Sequence, residues 1–192
     1  MRGLVCDFEL DLERIPVGGP RLIAFLGGTI GNFAPQQRSG FLHRISNLLD
    51  AEDRFLLGTD LVKDPETLEA AYNDSRGVTA AFNKNVLAVL NRELDADFDL
   101  ARFEHVARWD PENLWVDIRL RSLTNQMVKV GALEMLVPFR AGEEMRTEIS
   151  TKFARQGLEG IYAEAGLELT DWWTDPEGLY ALSLARSVSS SS

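Results

Sequence analysis

Short, solid apolar runs alternate with polar turns in the first part of the chain. Residues 3–6 (GLVC) form one run, closing on Asp7-Phe8, and residues 21–26 (RLIAFL) form a second. The second leads into the glycine-rich turn Gly27-Gly28-Thr29-Ile30-Gly31-Asn32. Pro35 suits the first position of a helix, and Leu42, Ile45, Leu48 and Leu49 recur behind it at helical spacing. Residues 54–57 read as a third strand, ending at Gly58-Thr59-Asp60. Strand, turn, helix, strand predicts a parallel α/β sheet, and runs without alternation predict strands covered on both faces.

The periodicity then changes. Asp64-Pro65-Glu66 offers an N-cap aspartate with proline behind it, and residues 78–94 read as a longer amphipathic helix. Between residues 103 and 137, stretches such as Trp115-Val116-Asp117-Ile118-Arg119-Leu120 alternate apolar and polar. That predicts antiparallel strands with one wet face. Ser150 is placed to cap a helix running to about Ala165, which Gly166 ends. Residues 167–173 and 179–186 predict two last strands, joined by the turn Thr174-Asp175-Pro176-Glu177-Gly178. The organisation that follows is an α/β sheet from residues 1–62 and 153–187. A mixed α+β lobe, residues 63–152, is inserted into it, and the serine-rich tail 188–192 is expected to be disordered.

Composition narrows the classes. Of 192 residues, 45% are hydrophobic and 26% charged, which suits a globular core. A net charge of −10 repels phosphate backbones and anionic lipid, so neither nucleic acid nor a membrane surface is expected as a partner. The single cysteine, Cys6, precludes an internal disulfide and points to a reducing cytoplasm. No apolar run reaches the roughly 18 residues that span a bilayer. The start, Met-Arg-Gly-Leu-Val-Cys-Asp, is too short for a signal peptide and runs straight into a strand pattern, as expected of an N-terminally truncated chain.

Ligands of open α/β sheets bind beyond the carboxyl ends of the strands. Asp7-Phe8 stands at one such end. It reads either as a turn aspartate beside a core phenylalanine, or as an acceptor for an exocyclic amine beside a ring that lies on a purine. The turn 27–32 stands at another. Its glycines permit close approach, and Asn32 offers a donor and an acceptor together, although an ordinary strand-to-helix turn reads the same way. Glu148 and Ser150 point the same way in an extended segment and would suit an imidazole, or they are a solvated carboxylate and a helix cap. His43 and His105 lack partners at ligand spacing and read as structural, and no metal site is expected. Cys6 reads as buried and inert, Trp172 as core, Trp173 as edge, and residues 95–99 and 143–144 as solvated acidic faces.

A family resemblance draws these pieces together. The run Phe25-Leu-Gly-Gly-Thr-Ile-Gly-Asn-Phe33 is followed by Gly58-Thr-Asp-Leu-Val-Lys-Asp64 and Ala71-Tyr-Asn-Asp74. Then come Gly77-Val-Thr-Ala-Ala-Phe-Asn83, Gly142-Glu143 and Thr147-Glu-Ile-Ser150. In this order and spacing they resemble the histidine-specific Nα-methyltransferases of ergothioneine biosynthesis, from residue 3 to about 187. The resemblance implies a class I, Rossmann-like S-adenosylmethionine-dependent methyltransferase with an inserted substrate-binding lobe, acting on L-histidine to give hercynine. By motif position, Asp7 and Phe8 would hold the adenine of the cofactor. Gly27, Asn32 and Tyr72 would bind the amino-acid backbone, and Glu148 and Ser150 the imidazole; no catalytic base is implied.

The sequence departs from that family in two ways. It lacks the family's N-terminal part, with the glycine-rich cofactor loop, the acidic ribose ligand and the tyrosines of the histidine pocket. Ile118 also stands where a methionine is common near the imidazole. The readings left open are a cytoplasmic, monomeric histidine methyltransferase, an N-methyltransferase for another amino acid, and a remnant without turnover.

Overall fold

The computed structural model describes residues 3–5, 7–16 and 18–188. In chain order the elements are β1 (Leu22–Phe25), α1 (Pro35–Leu48), β2 (Arg54–Asp60), α2 (Pro65–Tyr72) and α3 (Val78–Glu93). There follow β3 (Phe103–Asp110), β4 (Trp115–Ser122), β5 (Gln126–Val130), β6 (Met135–Phe139) and β7 (Glu144–Thr151). The last are α4 (Arg155–Glu164), β8 (Leu167–Thr174) and β9 (Tyr180–Ser187). The chain divides into two compact units, residues 1–62 with 151–192, and residues 63–150.

The first unit carries a mixed sheet of order β1-β2-β9-β8. β1 and β2 pair in parallel across α1, while β2–β9 and β9–β8 are antiparallel. Phe41, Leu42 and Ile45 of α1 and Leu158 and Tyr162 of α4 join Phe55, Leu57, Ala181 and Ala185 in one apolar cluster. Both helices thus feed a single core. Burial alternates along β1 and β9 instead of being continuous, and Leu22 is 62% exposed. The apolar runs predicted two covered faces. Two helices serving one cluster cover one.

Two local expectations fail in this unit. Residues 3–5 form no strand, and Val5 is 95% exposed. An apolar run becomes a strand only with a ladder partner, and β1 pairs with β2 alone among the described residues. Cys6 and most of the tail, residues 189–192, lie outside the described residues. Nor does Ser150 cap a helix. β7 stays extended through Thr151 beside β4, and α4 begins at Arg155 behind Ala154, which makes no side-chain cap.

The second unit has a sheet of order β3-β4-β7 and a separate β5–β6 hairpin. Its caps match the sequence chemistry. Asp64 accepts from the Thr67 N–H (3.0 Å) at the start of α2. Asp74 accepts from the N–H groups of Val78 and Thr79 (2.9 and 2.8 Å) at the start of α3, which hold its carboxyl at about 2. The apolar face of the sheet serves two clusters. Leu87 of α3 meets Phe103, Leu120, Val128 and Phe139, and Leu68 of α2 meets Ala107, Val116 and Ile118.

Candidate functional site

In the first unit, the turn after β1 is held from beneath. Ile30 and Gly31 are buried, and a Cβ on Gly31 would come within 2.7 Å of the Thr151 carbonyl oxygen. Gly27 and Gly28 have φ of +90° and +76°, a backbone conformation that side chains other than glycine rarely adopt. The result presents Gly27 and Asn32 at the surface. Asp7 and Phe8 lie in a turn closed by the Asp11 N–H donating to the Asp7 carbonyl (2.7 Å). The Asp7 side chain accepts from the Glu9 N–H (2.8 Å). Phe8 is 42% exposed, and its ring packs on Phe25 and Phe33, with centroids 5.4 and 6.2 Å away. Phe25 ends β1 and Phe33 follows the glycine turn. The aromatic contact therefore brings Asp7-Phe8 beside the turn 27–32.

Sequence reasoning missed a further pair at the carboxyl end of β2. Asp60 accepts from Lys152 Nζ (2.7 Å), and Lys152 is only 1% exposed. The Asp60 carbonyl also accepts from the Phe153 N–H (2.8 Å). Nothing in the sequence spacing marked the pair, because Asp60 and Lys152 lie far apart in the chain. A buried lysine is seldom left without a carboxylate.

In the second unit, the Tyr72 hydroxyl, at the end of α2, donates to Ser150 Oγ (2.8 Å). Glu148 is half-buried two residues earlier on β7, on the same strand face by alternation. Ile118 is 3% exposed, and Tyr72 packs against its cluster. Tyr72, Ser150 and Ile118 are thus gathered in one place. His43 hydrogen bonds to the Ser39 carbonyl (2.9 Å) within α1. His105 sits between Asn83 and the backbone of Tyr72. Among the described residues no cluster has the makings of a metal site, and no helix is long and apolar enough to cross a membrane.

In the acidic segment 143–144, Glu143 is exposed as expected, but Glu144 is not a solvated acid. The Glu144 side chain, 16% exposed, accepts from Arg108 Nη2 (2.8 Å) and Arg121 Nη2 (2.6 Å), contacts that hold its carboxyl below the usual range. Asp117 accepts from Arg119 Nη2 (2.7 Å) and Arg146 Nη2 (2.8 Å). Burial pushes the Asp117 carboxyl up, but these two guanidinium groups outweigh it and bring it to about 2. Pairing of β7 beside β4 sets these charges opposite one another, which sequence distance conceals. The segment 95–99 is partly structural too, since Asp97 accepts from the Lys129 N–H (2.7 Å) and Asp99 from the Ala101 N–H (3.0 Å).

A family model described as histidine-specific methyltransferase, SAM-dependent, matches residues 1–187. The histidine N-alpha-methyltransferase of Mycolicibacterium smegmatis is 55% identical over 182 residues, covering 94% of this chain and 57% of that protein. The protein of the same name from Mycobacterium tuberculosis is 53% identical, with the same coverage. The chain thus spans 57% of the length of these two relatives. Among solved structures, the CcbJ methyltransferase from Streptomyces caelestis overlays with a TM-score of 0.45 at 12% identity, covering 97% of this chain and 63% of that one.

Proposed function

This chain belongs to the histidine-specific, S-adenosylmethionine-dependent methyltransferase family, and from that premise we propose that it serves methyl transfer to the α-amino nitrogen of L-histidine. The product is trimethylhistidine, hercynine, on the route to ergothioneine. The sheet of residues 1–62 and 153–187 is the methyltransferase core, and the lobe of residues 63–152 binds the substrate. The protein works in the cytoplasm as a monomer.

The residues present fit the cofactor at its adenine end. Phe8 is backed by Phe25 and Phe33 yet 42% exposed, so a ring face remains for a purine, and the exposed Asp7 carboxylate beside it suits an exocyclic amine. Bound there, S-adenosylmethionine supplies an electrophilic methyl on a sulfonium. The rest is positioning, which can contribute several kcal/mol to such a reaction. Asn32 accepts from the substrate amine and donates to its carboxylate, a role shared by the Gly27 backbone, and Tyr72 is assigned to the same end of the substrate by its motif. Glu148 accepts from the imidazole N–H, and Ser150 serves the other ring nitrogen.

The observation that carries the histidine reading is the Tyr72–Ser150 hydrogen bond of 2.8 Å. It joins a residue of the backbone end of the pocket to one of the imidazole end. The test is Glu148→Ala in the full-length enzyme. Loss of a charged hydrogen bond should raise the histidine KM about 10- to 100-fold while leaving S-adenosylhomocysteine binding unchanged by calorimetry. An unchanged KM refutes the imidazole assignment. Methylation of another amino acid is the second reading, because aliphatic Ile118 lines the cluster of Tyr72. A substrate panel with labelled cofactor decides between the two.

A further inference from the structure

The motif Gly77–Asn83 carries no role in the pocket described above, yet its last residue is 7% exposed and its amide nitrogen has two partners. Asn83 Nδ2 donates to the Arg119 carbonyl on β4 (3.0 Å). That contact fixes the orientation of the amide, since a carbonyl oxygen only accepts. The same Nδ2 lies 2.9 Å from His105 Nδ1. Its second N–H therefore points at Nδ1, which must be the acceptor, so the imidazole proton sits on Nε2. His105 Nε2 is 2.8 Å from the Tyr72 carbonyl, the last residue of α2, and donates to it. Final carbonyls of a helix have no partner within it, so the imidazole acts as a side-chain cap on that end. Two neighbouring contacts fix the same end: Asn73 Nδ2 donates to the Ala107 carbonyl (3.1 Å), and the Trp109 N–H donates to Glu69 (3.0 Å).

We propose that Asn83 and His105 are positioning residues for Tyr72, and that the chain Arg119 carbonyl–Asn83–His105–Tyr72 carbonyl sets the height at which the Tyr72 hydroxyl meets Ser150. The link to amino-acid binding rests on the function proposed above. α2 is short, at 8 residues, so its own cooperativity is slight and its last turn depends on such outside contacts. Asn83 reaches its partners from α3, while His105 and the Arg119 carbonyl belong to β3 and β4. The relay thus ties the tyrosine to β3 and β4 of the sheet instead of to its own helix. A single tautomer satisfies all four groups, which explains why an amide and an imidazole stand there in place of apolar side chains.

The test uses the full-length protein labelled with 3-fluorotyrosine, in which the signal lost in Tyr72→Phe identifies Tyr72. His105→Phe should shift or broaden that signal and leave the other tyrosine signals in place. It should raise the amino-acid KM about three- to tenfold, the worth of one ordinary hydrogen bond, with kcat and S-adenosylhomocysteine affinity little changed. His105→Gln keeps a donor near the position of Nε2 and should restore both readouts. Adding His105→Phe to Tyr72→Phe should cost little beyond Tyr72→Phe alone, because the two act through one contact. An unmoved Tyr72 signal overturns the proposal, as does an additive double variant or a loss shared equally by KM and cofactor affinity. If the wild type turns over no histidine, the functional reading fails, while the fluorine signal still decides whether His105 holds Tyr72.

Discussion

The two units hold their strands by different means. The first gathers its apolar residues into one cluster fed by α1 and α4 and keeps its buried charges as separate pairs, Arg21–Asp53 and Lys152–Asp60. The second splits its apolar contacts between two smaller clusters and gives one face of its sheet to Arg108, Arg119, Arg121 and Arg146, laced with Asp117 and Glu144. Apolar packing is non-directional and decides which elements touch. A lattice of guanidinium and carboxylate groups is directional and decides register. β7 carries Glu144 on that face, so the lattice that fixes Glu144 also fixes the register of the strand that bears Glu148. A slip of one residue would turn that face over.

The comparison can be broken first at its apolar side. Phe55→Ala empties the centre of the single cluster and should cost about 3–5 kcal/mol by chemical denaturation. If Leu68→Ala, in the smallest cluster, costs as much, the contrast in core size has no energetic meaning.

Acid sharpens the second contrast. Asp53 in the first unit is held at about 2 by hydrogen bonds from Arg21 and the Asp50 N–H, against an ordinary 3.8. Asp117 in the second unit is also held at about 2. A depressed carboxyl stabilises the fold fully above its unfolded value and loses that contribution as pH falls through its folded value. Stability should therefore fall between about pH 4 and pH 2. Asp117→Asn should cost about 1–2 kcal/mol at neutral pH, after discounting for solvent screening, and flatten that slope. A slope identical to wild type would remove the lattice from the account. The smallest effect belongs to a local cap. Asp64→Ala should cost about 0.5–1 kcal/mol, read as a small drop in melting temperature that salt hardly changes.

Much of the element inventory was legible because it rests on local chemistry. Asp64 with Pro65 announced α2, Pro35 announced α1, and the turn 174–178 announced the β8–β9 hairpin. Legibility failed where a residue's fate depends on a partner far along the chain. Ser150 has the chemistry of a cap but lies in β7, since pairing beside β4 outweighs its local preference. Glu144 looks like a solvated acid until β7 sets it against Arg108 and Arg121. The candidate site divides the same way. The residue types in the turn 27–32 and in Thr147–Ser150 pointed to ligand chemistry, whereas Lys152 under Asp60 and His105 behind Tyr72 left no trace in sequence spacing.

By itself, then, the sequence determined most of the strands and helices from residue 21 onward, the Asp64 cap and the glycine turn after β1, and the motif set that marks the family. Those features depend on backbone propensity and on hydrogen bonds between residues a few positions apart. The tertiary structure alone decided that residues 3–5 form no strand, that Asp7-Phe8 stands beside the glycine turn through Phe25 and Phe33, and that the Tyr72 hydroxyl meets Ser150. Each of these joins residues far apart in the chain, or needs a partner strand, and such contacts form only when packing brings the pieces together.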